Sequence, residues 1–325
     1  MKIFIKKALV FIFITNILFN VFAEEIVCKT KNGTLSIEYS SKAFQGDIVY
    51  IKLFARKNAN TANNSCKISN TNISIIRVNN TKSIINSSFY ALKNKPDTYL
   101  CLLPVDSMLK AGEFNLKING TFDNVSFSNE YPLTILHKDF LSETLELNES
   151  NTAIKTDSSD KRKNQIAKLN NILFTVNTDA QYMNRTFSFP VTSKRRTAFY
   201  GDRRVYAYSN GNSSTSVHFG HDYGVPTGTV VSACANGKVV MAEDRITTGW
   251  SVVIEHMPGL YSLYYHMSKL DVEVNQIVKQ GEHLGLSGAT GLATGPHLHW
   301  EVRLLGTAVD PDYFVLNSIY WKLWL

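Results

Sequence analysis

A mainly β chain assembled in two unlike halves is the fold this sequence predicts, and three observations carry that reading. Short runs of alternating apolar and polar residues recur between residues 24 and 136. Of the 18 glycines only Gly33, Gly46, Gly112 and Gly120 precede residue 200, leaving 14 in the last 125 residues. Helical spacing is confined to one segment between the halves. At 325 residues the chain is too long for one ordinary domain, and 44% hydrophobic with 19% charged residues allows real cores. Lys plus Arg exceed Asp plus Glu by 34 to 27, but Lys2, Lys6 and Lys7 fall in a leading segment that holds no acid; without it the balance is 31 against 27. So small an excess excludes the concentrated basic footprint of a nucleic-acid binder and fits mild attraction to an anionic surface.

Residues 1–23 read as a secretory signal. The three lysines precede the mostly apolar run from Ala8 to Leu18, and Val21-Phe22-Ala23 places small residues three and one before a cut ahead of Glu24. An exported protein of the periplasm or cell envelope follows, with membrane attachment only if the signal stays uncleaved. No later segment approaches 18 apolar residues.

Residues 24–136 hold runs such as Leu35-Ser36-Ile37-Glu38-Tyr39, Val49-Tyr50-Ile51-Lys52-Leu53 and Phe114-Asn115-Leu116-Lys117-Ile118, each placing its apolar side chains on one face. Asn-rich and Ser-rich turns between them predict a β-sandwich accessory domain of immunoglobulin-like type. It carries no titratable cluster. In an exported chain, one disulfide among Cys28, Cys66 and Cys101 is expected, while Cys234 reads as a small buried strand residue.

Residues 137–185 form a connector. Ile166, Leu169, Leu173 and Val176 recur at helical spacing behind a capping candidate at Asp157 or Ser158, predicting a helix over about 160–176 whose stripe packs on one of the domains. Residues 186–325 are Gly-punctuated strands, among them Gly237-Lys238-Val239-Val240, Ser251-Val252-Val253-Ile254 and Tyr261-Ser262-Leu263-Tyr264-Tyr265, without a convincing helical run. A compact barrel or sandwich is the expected architecture.

Seven of the eight histidines lie between residues 218 and 299. In Val217-His218-Phe219-Gly220-His221-Asp222-Tyr223 an extended backbone directs His218, Gly220 and Asp222 to one face; in Pro296-His297-Leu298-His299-Trp300-Glu301-Val302 it directs His297 and His299 together. A catalytic zinc site takes three His or carboxylate ligands and leaves one position for water. His218, Asp222 and one histidine of the 297/299 pair supply that set, and the other is left for proton transfer. His266, after Tyr264-Tyr265, is a second candidate for that work. No His-Glu-x-x-His helix and no Cys-x-x-Cys pair is present, which excludes helical zincins and structural zinc modules.

The stretch Thr197-Ala198-Phe199-Tyr200-Gly201-Asp202-Arg203, then His218-Phe219-Gly220-His221-Asp222, Tyr264-Tyr265-His266-Met267 and Gly295-Pro296-His297-Leu298-His299-Trp300-Glu301 resembles the lysostaphin/LytM-type zinc metallopeptidases over about 190–313. The resemblance implies that family's Gly-rich antiparallel β barrel-like fold (a duplicated hybrid motif), one Zn2+ per chain, and the peptide part of bacterial peptidoglycan as substrate. By the same resemblance His218, Asp222 and His299 are the zinc ligands. His266 and His297 are the catalytic pair used in place of a glutamate, with His297 as base and His266 as stabiliser. Met267 stands where the family often has Leu, and Asn275 replaces a frequent turn glycine.

Outside these motifs, His221, His256 and His283 read as core-satisfied or surface histidines. Glu301 is a candidate partner for His299, and Tyr206 and Tyr208 are candidate cleft residues. The expectation is a monomeric zinc endopeptidase acting on stem-peptide cross-links, with residues 24–136 restricting access to its cleft. Its alternatives are a non-catalytic wall-binding or hydrolase-activating relative and a secreted bacteriolytic lysin.

Overall fold

The computed structural model describes residues 25–58, 67–79 and 82–316. The signal reading of residues 1–23 and the thiol of Cys66 lie outside the described residues. Within them, no helix is long and apolar enough to cross a membrane.

The first half is two five-stranded sheets packed face to face. One runs Glu25–Lys29, Gly33–Tyr39, Ile48–Lys57, Thr98–Pro104, Tyr90–Ala91; the other runs Lys42–Phe44, Val125–Leu136, Gly112–Phe122, Ile68–Arg77, Ser83–Ser87. Alternation sets the facing surfaces: Phe114, Leu116, Ile118 and Phe122 point inward and meet Leu35, Ile37, Val49, Ile51 and Leu53 of the opposite sheet. Asp123 and Asn124 both sit at positive φ, as a two-residue hairpin with the right strand twist requires, and so join Phe122 to Val125 in register. The expected disulfide is not formed among the described cysteines. Cys28, Cys101 and Cys234 are free thiols, and Cys101 is a fully buried core side chain of the sandwich while Cys28 lies on an edge strand.

The strand Ile48–Lys57 is buried along both faces at its start. Val49 and Ile51 face the sandwich core, whereas Ile48 and Tyr50, with Leu100 and Leu102, join a second core containing Phe187, Tyr223, Trp300 and Phe314. The two halves therefore share apolar burial.

Between them, Ser142–Glu146 pairs in parallel with Arg203–Ala207, which pairs antiparallel with Ser213–Val217. Helix α1 (Glu149–Thr156) follows, capped by the Asn148 side chain, and then α2 (Asp160–Leu173), capped by Ser159 through the Arg162 amide. The cap is thus one residue beyond the expected position, and α1 was not anticipated because its sequence has almost no apolar stripe. Leu173, with Leu169 and Ile172, packs on Met241, Tyr261, Leu263 and Tyr265. Ile166 and Val176 stay largely exposed, so the buried stripe is narrower than its spacing suggests.

The second half is a ten-stranded, wholly antiparallel sheet, whose main path runs Arg196–Ala198, Gly220–Tyr223, Leu298–Leu304, Leu260–Leu270, Gly249–Met257, Gly237–Arg245, Ile277–Val278. A short helix, α3 (Pro311–Leu316), ends the described chain where no helical run was expected; its Phe314 stacks on Phe187 with ring centroids 4.9 Å apart.

Candidate metal centre and active site

Strand register assembles the site. Gly220–Tyr223 pairs with Leu298–Leu304 so that Asp222 lies opposite His299, and Leu260–Leu270 sets Tyr265 opposite His299 from the other side. Gly220 is required by that closeness, since a Cβ there would come within 2.3 Å of the Trp300 carbonyl oxygen. His218, just ahead of the strand, turns back to the same point.

His218 Nε2, Asp222 Oδ1 and His299 Nδ1 converge: the three separations are 3.1, 3.0 and 2.9 Å. The partners of the far ring nitrogens assign the tautomers. His218 Nδ1 donates to the Phe199 carbonyl at 2.8 Å, and His299 Nε2 donates to Glu301 Oε2 at 3.2 Å. Both near nitrogens are then bare lone pairs aimed at each other and at a carboxylate oxygen. In the neutral tautomers three electron-rich atoms face one another and need a cation, either a proton on His299 or a metal ion in its place, and donors of a tetrahedral ion with ~2.0–2.1 Å bonds lie about 3.3 Å apart. The donor set and its spacing fit a zinc-sized ion, and these three residues form a group that could hold a metal.

Further residues fix this group. Arg204 Nη2 bonds Asp222 Oδ2 at 3.0 Å and its Nε bonds Glu143 at 2.7 Å. Tyr265 stacks on His299 at a 9° interplanar angle. Burial would raise the Asp222 carboxyl, but the two imidazoles outweigh it and hold it well below the usual range. For His299 burial alone would lower the ring, yet its bonds to Asp222 and Glu301 push it up to about 9.

His266 and His297 stand beside this group, with ring centroids 4.7 Å apart. Each anchors Nδ1–H on a backbone carbonyl at 2.8 Å, His266 on Thr290 and His297 on Gly295, so each presents a bare Nε2. His297 Nε2 lies 3.8 Å from Asp222 Oδ1. His266 adopts φ +61°, uncommon outside glycine, and its amide donates to the Thr248 carbonyl. Burial first, then the neighbouring His297 and His299, lowers its ring to about 3. All five histidine and aspartate positions singled out from the sequence thus come together.

Residues 216–311 match the profile described as Peptidase family M23. This stretch of the second half is similar to the M23 peptidases. A stretch of 123 residues, 38% of this chain and 28% of the relative, is 37% identical to the peptidoglycan DD-endopeptidase ShyA of Vibrio cholerae. A 93-residue stretch, 29% of this chain and 22% of the relative, is 40% identical to ShyB, named likewise, of the same organism. The matched part spans less than a third of either relative. A solved structure titled a putative peptidase M23 from Pseudomonas aeruginosa covers 75% of this chain and 92% of its own, at 21% identity and TM-score 0.47.

The site opens into a cleft of about 500 Å3. One wall is the domain itself; the other comes from the connector, through Glu143, Leu145, Leu147, Lys155, Arg162 and Leu169. No described residue of 25–136 lines the cleft, so the sandwich does not cover it as expected. Tyr206 lines it and Tyr208 does not.

The remaining histidines of the second half are satisfied elsewhere. His221 Nδ1 accepts from the Tyr200 amide, so its Nε2–H donates to Asp310. The His221, Asp310 and Asp312 group therefore offers no bare nitrogen, and its carboxylates are already matched by Lys138 and Arg196. His256 is buried against the Asn236 carbonyl and Ser262, and His283 pairs with Asp271. Arg204, Thr290 and the connector cations escaped the sequence reading. An Arg-Arg pair just after Gly201-Asp202 was the available signal for Arg204.

Proposed function

We propose that this protein is an exported zinc-dependent endopeptidase that hydrolyses peptide bonds of bacterial peptidoglycan, at stem-peptide cross-links. In this reading residues 24–136 are an accessory sandwich, 137–185 a connector and 186–325 the peptidase domain. The observation that carries it is the convergence of three ligand atoms within 3.1 Å of one another beside two imidazoles that present bare nitrogens. The names of the relatives, peptidoglycan DD-endopeptidases, support the choice of substrate and bond. A non-catalytic relative would be expected to lack a ligand, and none is missing.

His218, Asp222 and His299 would hold the zinc. When bound, zinc supplies a Lewis acid for the scissile carbonyl and lowers the pKa of water towards about 7. The protein does the rest. The Phe199 carbonyl and Glu301 keep the two ligand imidazoles in the tautomer that leaves the correct nitrogen free. Arg204 holds the second oxygen of Asp222. His297, the nearer to Asp222 and the less buried of the pair, takes the proton of the attacking water and returns it to the leaving amine. His266, kept neutral by burial first and then by His297 and His299, presents Nε2 as a bare acceptor. It can donate to an oxyanion only after gaining a proton.

The test is digestion of purified sacculi by residues 24–325, with mass spectrometry of the released muropeptides and metal analysis of the protein. Release that chelation abolishes and zinc restores is expected. Intact sacculi, or release indifferent to chelation, would overturn the proposal.

A further inference from the structure

The cleft carries more positive charge than its acids account for. Its three lining acids are all engaged: Glu143 and Asp222 with Arg204, and Glu301 with Arg303. Three lining cations remain without a carboxylate partner among the described residues.

Lys155, on α1, is half-buried and places its ammonium 3.9 Å from the centre of the Tyr206 ring. Arg162, in the first turn of α2, bonds only the Asp157 carbonyl and the Thr247 hydroxyl. Arg245 is 6% exposed; its terminal nitrogens bond the Thr248 hydroxyl and the Gln165 carbonyl, and its buried Nε has no partner. Burying cations beside one another without anions is costly. The arrangement suits a ligand that brings the missing negative charge.

Their placement says where that charge would lie. Burial first, then Arg162 and Arg204, disfavour the Lys155 charge, which places Lys155 near Arg204, the partner of Asp222. On the other side, Arg162 reaches Thr247 and Arg245 reaches Thr248, whose carbonyl accepts from the His266 amide. The cations therefore stand next to the reactive groups on both sides.

We infer that Lys155, Arg162 and Arg245 form an anion subsite, completed by the connector, that binds a free carboxylate of the peptide substrate close to the scissile bond. This rests on the peptidase reading above and deepens it. The connector then acts as a specificity element: a peptide whose carboxylates are amidated leaves the three cations unanswered, whereas the acidic peptide forms charge-assisted bonds with them.

Two probes separate the possibilities: a cross-linked stem-peptide dimer with free carboxylates, and the same dimer with those groups converted to carboxamides. Calorimetric binding is measured with the full exported chain stripped of metal by chelation and checked for folding by circular dichroism. Hydrolysis of both dimers is then measured with zinc restored. The acidic dimer is expected to bind roughly tenfold more tightly, with an advantage that shrinks as salt is raised. Lys155→Gln and Arg162→Gln should each erase most of that advantage while leaving hydrolysis of the amidated dimer within about twofold, and Lys155→Arg should restore it. Equal or absent binding of the two dimers by the unaltered chain, or an advantage that persists in both Gln variants, overturns the subsite. Hydrolysis of both dimers without preference sinks the subsite and leaves the peptidase reading standing. Preferential binding with no hydrolysis of either does the reverse.

Discussion

Replacing Glu301 by Gln tests the inner architecture of the site, because the change keeps the shape and removes one charge. Glu301 is 3% exposed; one oxygen accepts from His299 Nε2 at 3.2 Å and the other from Arg303 Nε. Two losses follow, and they have different readouts. A neutral amide accepts from His299 more weakly and leaves its Nδ1 a poorer donor to a cation, so zinc affinity should fall about 10–100-fold, or about 1.4–2.7 kcal/mol. Loss of a nearby anion acts in the same direction, so the two effects cannot cancel. Arg303 meanwhile loses its counter-charge while its side chain is only 18% exposed. Breaking a buried pair costs about 3–5 kcal/mol, less here because Arg303 keeps the Gly306 carbonyl and the face of Phe219. The metal term is read by competition against a chromophoric chelator, and the stability term by thermal unfolding of the chelated protein. A folded Glu301→Gln protein that binds zinc within threefold of the parent would show that Glu301 does not act through His299.

Asp222→Ala should lose most bound zinc, since two imidazoles and extra water remain; full occupancy by metal analysis would remove Asp222 from the ligand set. His266→Ala should keep its zinc and lose turnover by roughly 100-fold or more, and zinc loss there would make His266 a ligand instead. Leu173→Ala should destabilise the chain by about 2–5 kcal/mol in denaturant titration, because Leu173 is 3% exposed against Met241, Tyr261 and Tyr265; a change below about 0.5 kcal/mol would mean that α2 is not anchored there. Asp47 should make stability pH-dependent. Burial pushes its carboxyl up to about 7, against the pull of Lys138 and the Phe44 amide and with a small push from Asp310. Its folded value lies above the unfolded one, so the folded chain holds an extra proton between about pH 4 and 7, and stability falls as pH rises through that window. Asp47→Asn should flatten this part of the curve, and an unchanged slope would place its origin elsewhere.

The sequence carries the parts of this fold that depend on local repetition. Period-two alternation in Gly112–Phe122 is enough to place Phe114, Leu116 and Ile118 in a core, and two alternating histidine segments bring His218, Asp222, His297 and His299 together once strands pair. Contacts made across long separations leave no such trace. Ile48 and Tyr50 look like ordinary strand residues, yet they face a core supplied by residues 187–314. Arg204 touches Asp222 only because Arg203–Ala207 is held beside Ser142–Glu146. Cys101 shows how composition misleads: an even cysteine count suggested a bridge, while the position inside Thr98–Pro104 demanded a small apolar side chain. The short helices α1 and α3 rest on capping and on tertiary contact, and carry too few periodic apolar residues to be seen.

Those long-range contacts also decide which part of the chain can control access to the cleft. The sandwich is joined to the second half by shared burial of Ile48, Tyr50, Leu100 and Leu102, and by Lys138 with Asp310 and Arg203 with the Ser107 carbonyl. Moving it would expose apolar surface on both halves, at about 25 cal/mol for each Å2. None of its described residues lines the cleft, so such a motion would uncover none of the described lining. The α1–α2 segment differs on both counts. It forms a wall of the cleft, yet α1 buries only Asn151 and Thr152, and α2 only Leu173, in full. Its further ties are polar: Asn151 with the Ala293 carbonyl, Gln165 with Asp244, Arg245 and Ile246, and the partly exposed pair Lys168 with Glu243. Displacing these helices is thus the least costly way to widen the cleft, and it would carry Lys155 and Arg162 away from the reactive histidines. Access and charge recognition are then one coordinate. A chain cut to begin near Thr186 removes the helices together with Ile48, Tyr50, Leu100 and Leu102, which share the core of Phe187 and Phe314. A faster rate in it, matched by a chain in which only the α1–α2 segment is removed, would report loss of the connector wall.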